Sequence, residues 1–314
     1  MSSETGRIGE VARSTAVETA WAQWSALVAL AAAPERQVVS SIVDAEALVL
    51  LSLSVRERER RLNDVVMAFA RTSSSLLGVH RMRTLARRAA ALVRAAHSAF
   101  ARAAADGGDR RWRAPAAANE QDPPVRLKPL GELRLLDAPA LQLRLRAGMG
   151  VGARADLLAL LLGLGGEPVS IRVASDALGY SSRAMRTAAE EMVQAGFVGR
   201  IYGSSPAAFR ADGGAWAGLL FPHDDPADLP RWRFWAGVFA FLAGVGAWEE
   251  EARAAGWSDY VAASRARDVA EGHARGLALA RIALPDPRAA RGAEYLAAFG
   301  DLVERVGDFC RESL

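Results

Sequence analysis

Cysteine, lysine and histidine are scarce in this chain. Cys310 is the single cysteine among 314 residues, which excludes an intrachain disulfide and a metal cluster held by several thiolates, and favours a reducing compartment. Lys128 is the single lysine, so arginine carries the positive charge and offers paired hydrogen bonds to phosphate or guanine. Because a GC-rich genome also produces abundant alanine, arginine and glycine, the arginine bias alone does not indicate a function.

Long apolar segments and catalytic motifs are also absent. The longest uncharged apolar run covers residues 234–248, which is 15 residues, whereas a membrane-spanning helix requires about 20. The stretch Met1–Val11 lacks the pattern of a secretory signal. The chain has no H-E-x-x-H, G-x-S-x-G or G-x-x-x-x-G-K-[ST] motif. We therefore expect a cytoplasmic protein that is not an enzyme, needs no cofactor or metal, and makes no membrane contact.

The net charge of +3 is unevenly distributed along the chain. Residues 1–113 carry 17 arginines against 11 acids, which gives +6, and residues 144–210 carry 8 against 5, which gives +3. Residues 222–314 carry 11 arginines against 15 acids, which gives −4. This distribution indicates a protein that binds a polyanion through its N-terminal and central parts.

The centre of the chain contains two short amphipathic segments that meet at a tight turn. Ser175 lies in the first segment, Gly179 follows at the turn, and Met185 lies six residues further on. A small residue lets the second helix approach, a glycine accepts an unusual backbone conformation, and an apolar residue holds the second helix from behind. The spacing therefore predicts a helix-turn-helix.

The second helix of this pair has an apolar side and a polar side. The apolar residues recur at helical spacing: Met185, Ala188, Ala189, Met192 and Val193. The polar side carries Ser182, Arg183, Arg186, Thr187 and Glu190. The hydroxyl of Ser181 or Ser182 can cap the helix. Arginine and threonine in the first turns of such a helix can reach base edges or phosphates in the major groove.

A hairpin is expected after this helix. Residues 194–196 are typical of a helix end, and residues 197–202 are predicted to pair with 209–220 across a turn at 204–206. A helix, a helix-turn-helix and a hairpin in this order make a winged helix. Roughly 70 of the 314 residues thus resemble the MarR/ArsR-type winged-helix transcription regulators.

The resemblance implies that the chain binds double-stranded DNA. The implied contacts come from the second helix and from the wing: Ser181, Ser182, Arg183, Arg186, Thr187, Ser204 and Arg210. Ser170 can cap the first helix, and Arg172 faces outward near the expected phosphate path. Glu190 departs from the pattern, because its carboxylate would repel phosphate unless it accepts from a cytosine amino group.

Two other functions remain open. Winged helices also act as plain protein-interaction modules. In addition, Gly148-Met149-Gly150-Val151-Gly152-Ala153 matches the dinucleotide fingerprint G-x-G-x-x-A, with residues 169–173 as a further strand and Asp176 as a ribose ligand. The arginines in the preceding segment 141–147 weaken this second interpretation, because a buried parallel strand is almost continuously apolar.

The expected fold class is mainly α, with a central winged helix-turn-helix and a small β-hairpin wing between helical flanks. We expect a helical N-terminal domain at 1–106, a linker at 107–136, the winged helix at 137–221, and a helical C-terminal domain at 222–314. Residues 76–104 are predicted to form one helix with a basic outer face: Arg81, Arg87, Arg88, Arg94 and Arg102. Asp44 and Glu46 lie in an apolar segment and are expected to pair with nearby arginines.

The C-terminal domain is expected to serve dimerisation or effector binding. Residues 234–248 are apolar on all sides, so this helix must be enclosed. A second copy could enclose it, which would make a homodimer, and so could a helical bundle of the same chain. Aromatic side chains nearby could instead line a pocket for a small-molecule effector: Trp248, Trp257 and Tyr260, with Glu249 or Arg253.

Overall fold

A computed structural model describes residues 3–29, 39–88, 91–112, 130–203, 206–221, 229–286, 292 and 294–314. These residues form a mainly helical structure, as expected, with a small antiparallel sheet that has three strands where the sequence predicted a two-stranded hairpin. None of the described helices is long and apolar enough to cross a lipid bilayer.

In the flanking parts of the chain the described regular elements are helices, apart from two isolated β-bridges. The N-terminal part contains α1 (Ser3–Leu27), α2 (Ala45–Ser54), α3 (Arg60–Ser73), α4 (Val79–Arg88) and α5 (Ala91–Asp106). The C-terminal part contains α11 (Trp235–Ala255), α12 (Asp259–Leu279) and α13 (Glu294–Ser313). Within the expected single helix over 76–104 the structure describes α4, which begins at Val79 instead of 76, and α5; residues 89–90 between them lie outside the described residues.

The N-terminal and C-terminal helices share one hydrophobic core, although the sequence indicated a separate domain at each end. The uniformly apolar helix α11 lies at the centre of this core and packs against α1, α2 and α12. Trp235, Phe241 and Val245 are fully buried there by helices of the same chain. A second copy is therefore not required to enclose α11, and this argument for a homodimer no longer holds.

The central part of the chain forms a second hydrophobic core. Its elements are α6 (Leu141–Met149), α7 (Ala153–Gly163), β1 (Val169–Ser170), α8 (Ile171–Leu178), α9 (Ser182–Gln194), β2 (Gly199–Ile201), β3 (Ala208–Arg210) and α10 (Gly213–Leu220). The strand order is β1-β3-β2, and both strand pairs are antiparallel. Most of the predicted linker, residues 113–129, lies outside the described residues.

The hairpin is shorter than the sequence suggested. Its second strand ends at Arg210 instead of Leu220, and α10 follows. The cause is Asp212, whose carboxylate accepts hydrogen bonds from the backbone N–H groups of Gly214 (3.0 Å) and Ala215 (3.3 Å). This capping starts a helix in a segment whose apolar residues alone are compatible with a strand.

Replacing the capping carboxylate tests this assignment. We expect Asp212→Ala to lower the free energy of unfolding by about 0.5–2 kcal/mol, because two backbone N–H groups lose their partner. Asp212→Asn is the matched control and should retain most of the stability, because asparagine also caps helices well. Urea denaturation of the three proteins measures the difference. Equal losses for both variants would contradict the capping role.

Candidate nucleic-acid interface

The turn between α8 and α9 is formed by Gly179. Ser170 starts α8, since its hydroxyl accepts from the N–H of Val173 at 3.3 Å. Gly179 ends α8 with a φ of 71°, and its N–H donates to the carbonyl of Ser175. Glycine suits this position because a left-handed backbone costs other L-residues energy. The sequence therefore located the turn correctly.

Helix α9 presents its polar side to solvent. Ser181 caps it by accepting from the N–H of Ala184 at 3.2 Å. The predicted contact residues of this helix are all exposed: Ser181, Ser182, Arg183, Arg186, Thr187 and Glu190. On the opposite side Met185, Ala188, Ala189 and Met192 are buried against the second core. The division into two sides is as the helical spacing predicted.

The other predicted contact residues differ in their exposure to solvent. Arg172 on α8 and Arg210 on β3 are exposed. Ser170 is half-buried and its hydroxyl is already occupied as a helix cap. Ser204 lies outside the described residues. Arg172, Arg210 and the α9 residues are therefore the members of the predicted set that solvent, or a ligand, can reach.

Two exposed arginines near this surface were not singled out from the sequence. Arg200 lies on β2 opposite Phe209, one position along the hairpin from the Gly199–Arg210 pair. Arg154, at the start of α7, lies 3.4 Å from the Glu191 carboxylate of α9. The strand prediction for 197–202 already contained Arg200, so its position on the wing could have been inferred.

Five exposed arginines of α8, α9 and the hairpin have no acidic partner among the residues that the structure describes. Within the described part of the chain none of five forms an ion pair: Arg172, Arg183, Arg186, Arg200 and Arg210. We call these five residues of α8, α9, β2 and β3 the arginine surface; on the hairpin Arg200 and Arg210 point to opposite faces, because side chains alternate along a strand and Arg200 pairs with Phe209, the neighbour of Arg210. Guanidinium groups that no carboxylate engages keep all their N–H donors for an external anion, which makes this surface suited to phosphate groups.

The glycine segment 148–153 does not build a dinucleotide site. The residues before it belong to helix α6, whereas the fingerprint requires a strand. The strand after it is two residues long, pairs antiparallel with β3 and runs directly into α8. Instead, residues 149–154 border a groove of about 550 Å³ that they share with the N-terminal half of α9. The groove extends the arginine surface beside Arg183.

A cluster of buried charges lies behind the helix pair and joins the two cores. Arg146 of α6 binds Asp156 of α7 at 2.7 Å and Glu46 of α2 at 2.7 Å. Arg81 of α4 binds Asp44 and Glu46. All five side chains are at most 1% exposed. We name them the buried charge cluster. Arg81 was expected on a solvated face, and its burial is explained by these two carboxylates.

The buried charge cluster also holds the turn between α8 and α9. Arg81 donates to the carbonyl of Leu178 at 2.7 Å, and the Tyr180 hydroxyl donates to Asp156 at 2.7 Å. Burial and the Asp156 carboxylate raise the pKa of Tyr180, so its hydroxyl keeps its proton. Burial alone would raise the pKa of Glu46, but the charges of Arg146 and Arg81 outweigh it and lower that pKa to about 2.

The side chains proposed to line an effector pocket are divided between the core and the surface, and Trp257 is half-buried against the core. Trp248 is buried and its indole N–H donates to the carbonyl of Ala262 at 3.0 Å. Glu249 is buried and binds Arg13. Tyr260 is 74% exposed, and Arg253 is also exposed. Some of these side chains pack in the core and the others face solvent, because aromatic residues at helical spacing most often form the packed side of a helix.

Comparisons with protein-family models, with curated proteins and with solved structures found no match. Among the described residues no group of histidine, cysteine and acidic side chains could hold a metal ion. Residues 222–228, which include His223, Asp224 and Asp225, lie outside those residues. A function is therefore assigned from the arrangement of the chain's own residues, above all the arginine surface.

Proposed function

We propose that this protein is a transcription regulator that binds double-stranded DNA in a sequence-specific manner through a winged helix formed by α7 to β3. The order helix, strand, helix, helix and hairpin supports it, and so does the short turn between α8 and α9. In this arrangement α9 is the recognition helix that enters the major groove, and β2 and β3 form the wing.

The observation that carries the proposal is the arginine surface. Arg183 and Arg186 project from the first two turns of α9, where recognition helices contact base edges. Arg172 on α8 and Arg200 and Arg210 on the hairpin are further exposed arginines that can bind the phosphate backbone. Glu190, one turn further on, can accept from a cytosine amino group and so contribute to base selection.

The salt dependence of duplex binding tests this proposal. We expect the full chain to bind a random DNA duplex at low salt, with an affinity that falls steeply as salt increases, because arginine–phosphate contacts release counterions. Removing one phosphate contact with Arg172→Ala should reduce the slope of log K against log salt by about 1. Fluorescence anisotropy at several salt concentrations measures the slope. Absence of duplex affinity at low salt would overturn the proposal.

A second candidate function is docking onto another protein. It is favoured by apolar side chains exposed close to the wing: Phe197 is 43% exposed and Leu219 is 68% exposed. Contiguous exposed apolar patches are found at interaction sites, and these two side chains are candidates for such a patch. The same anisotropy experiment separates the two functions, because a docking module would not bind the duplex even at low salt.

The DNA sequence that the protein selects tests whether it is the homodimer that its own sequence predicts. In a two-fold dimer two α9 helices would lie one duplex turn apart, ~34 Å, and would select an inverted repeat. A monomer would select a single half-site. Sequencing of duplexes enriched by the protein from a randomised library distinguishes these outcomes.

A further inference from the structure

A cavity of about 280 Å³ lies where the two cores meet. Helices α2, α11 and α12 of the first core surround it, and Asp176 and Ala177 of α8 close it from the second core. For comparison, a protein cavity of about 150 Å³ holds benzene. Scaled by volume from the six carbon atoms of benzene, this cavity has room for a ligand of about a dozen non-hydrogen atoms.

Small residues on α11 and α12 explain why this volume is unfilled. At Gly237 an added Cβ would lie 2.6 Å from the Cα of Gly276, so the two helices touch there through backbone alone. Next to this contact Ala240, Ala243 and Gly272 line the cavity with little or no side chain. The helices are thus held at a fixed separation while the adjacent positions supply no atoms to occupy the space.

The remaining walls are apolar except at one side. Leu51, Leu85 and Phe239 contribute apolar surface, and the polar groups are His273 and Arg275 of α12 with Asp176 of α8. Burial lowers the pKa of His273, so near neutral pH its imidazole is uncharged and offers one N–H. Arg275 binds Asp176 through one terminal nitrogen, and its side chain is 64% exposed. Most of its N–H groups are left for a further acceptor.

The polar side therefore offers more donors than acceptors. A ligand that fits has an apolar body for the leucine and phenylalanine side chains and an anionic acceptor for Arg275. We propose that this cavity binds a small apolar carboxylic acid, and that the acid competes with Asp176 for Arg275 and thereby alters DNA binding. The regulatory half of this inference rests on the proposed function, whereas the binding half does not.

The ion pair gives the ligand a direct route to the DNA-binding helices. Asp176 belongs to α8, which packs against α9, and Arg275 belongs to α12 of the first core. When a carboxylate engages Arg275, the connection between α12 and α8 is weakened. By linkage, a ligand that prefers one arrangement of α8 changes the affinity for DNA by the same factor by which DNA changes the affinity for the ligand.

Binding is measured first, without DNA. The probes are benzoate, 3-phenylpropanoate and octanoate at millimolar concentration, each compared with its neutral amide. We expect at least one acid to raise the melting temperature by a few degrees and to bind at least tenfold more tightly than its amide in calorimetry. Failure of all three acids to bind the folded protein overturns the inference.

Two variants and one control variant locate the site. Arg275→Gln should reduce the affinity for the acid to that of the amide, while Arg253→Gln, at an exposed arginine of α11 that does not line the cavity, should leave it unchanged. Ala240→Phe should abolish binding of both acid and amide because the ring occupies the cavity. An unchanged preference for the acid in Arg275→Gln contradicts the assigned role of Arg275.

Experiments with duplex DNA present separate this inference from the proposed function. With duplex present, saturating acid should change the DNA affinity of the wild-type protein several-fold and that of Arg275→Gln not at all. Acid binding without any duplex affinity would overturn the proposed function and the regulatory half, and would support the ligand site. Duplex binding that the acid does not change would overturn the regulatory half alone.

Discussion

Replacement of Arg146 by methionine is expected to lower the free energy of unfolding by about 3–5 kcal/mol. Arg146 is 1% exposed and binds two buried carboxylates, Glu46 and Asp156. Methionine fills much of the volume of the arginine side chain but carries no charge and no N–H donors. The two carboxylates therefore stay buried without the positive charge and the hydrogen bonds that Arg146 supplies. Urea denaturation at pH 7 measures the loss. The matched control is Arg265→Met, which breaks an exposed pair with Asp268 and should cost less than about 1 kcal/mol.

Acidification should reduce the difference between Arg146→Met and the wild-type protein. In the wild type the pKa of Glu46 is lowered to about 2. Its contribution is complete above the unfolded value of about 4.3 and is lost as the pH falls toward 2. In the variant, burial without Arg146 raises that pKa, so protonation at low pH relieves the buried charge. A difference in stability that stays constant from pH 7 to pH 3 would contradict the ionic role of Arg146.

The double variant Arg183→Ala and Arg186→Ala is expected to lose most of the specific affinity for DNA. Each arginine that contacts a base contributes about 1–3 kcal/mol, so the pair should cost about 2–6 kcal/mol if the two effects add. Both side chains are exposed, and the stability should therefore change by no more than about 0.5 kcal/mol. Electrophoretic mobility with the duplex enriched by the wild-type protein measures the affinity.

A matched variant shows whether the position of the charge matters. The double variant Arg253→Ala and Arg265→Ala also removes two positive charges, but from exposed positions on α11 and α12. It should retain nearly all of the specific affinity, apart from a small long-range effect that salt suppresses. Equal losses in both double variants would show that net charge, and not α9, determines DNA binding.

The sequence specified the local features of the central part well. Ser181 and Gly179 each act within four residues of their own position, as helix cap and as turn. Helical spacing then separated the buried Met185 and Met192 from the exposed arginines. Such features depend on short-range backbone geometry, which a single sequence encodes directly.

Features that depend on distant residues were predicted less well. Glu46 was expected to pair with a nearby arginine, yet one of its partners is Arg146, 100 residues away. Arg81 was placed on an outer face because its partners could not be identified from spacing. The enclosure of α11 by α1 and α2 and the cavity beside Gly237 likewise result from tertiary packing between segments far apart in the chain.

The shared core of the flanking helices has a consequence for synthesis of the protein. Helix α11 begins 208 residues after α1 ends, which corresponds to roughly 10–40 s of translation. During that interval α1 and α2 lack α11, against which both pack, while most of the residues of the second core from α6 to α10 have already been made. A nascent chain stalled before Trp235 should therefore engage holdase chaperones through its first helices while its middle is already resistant to protease.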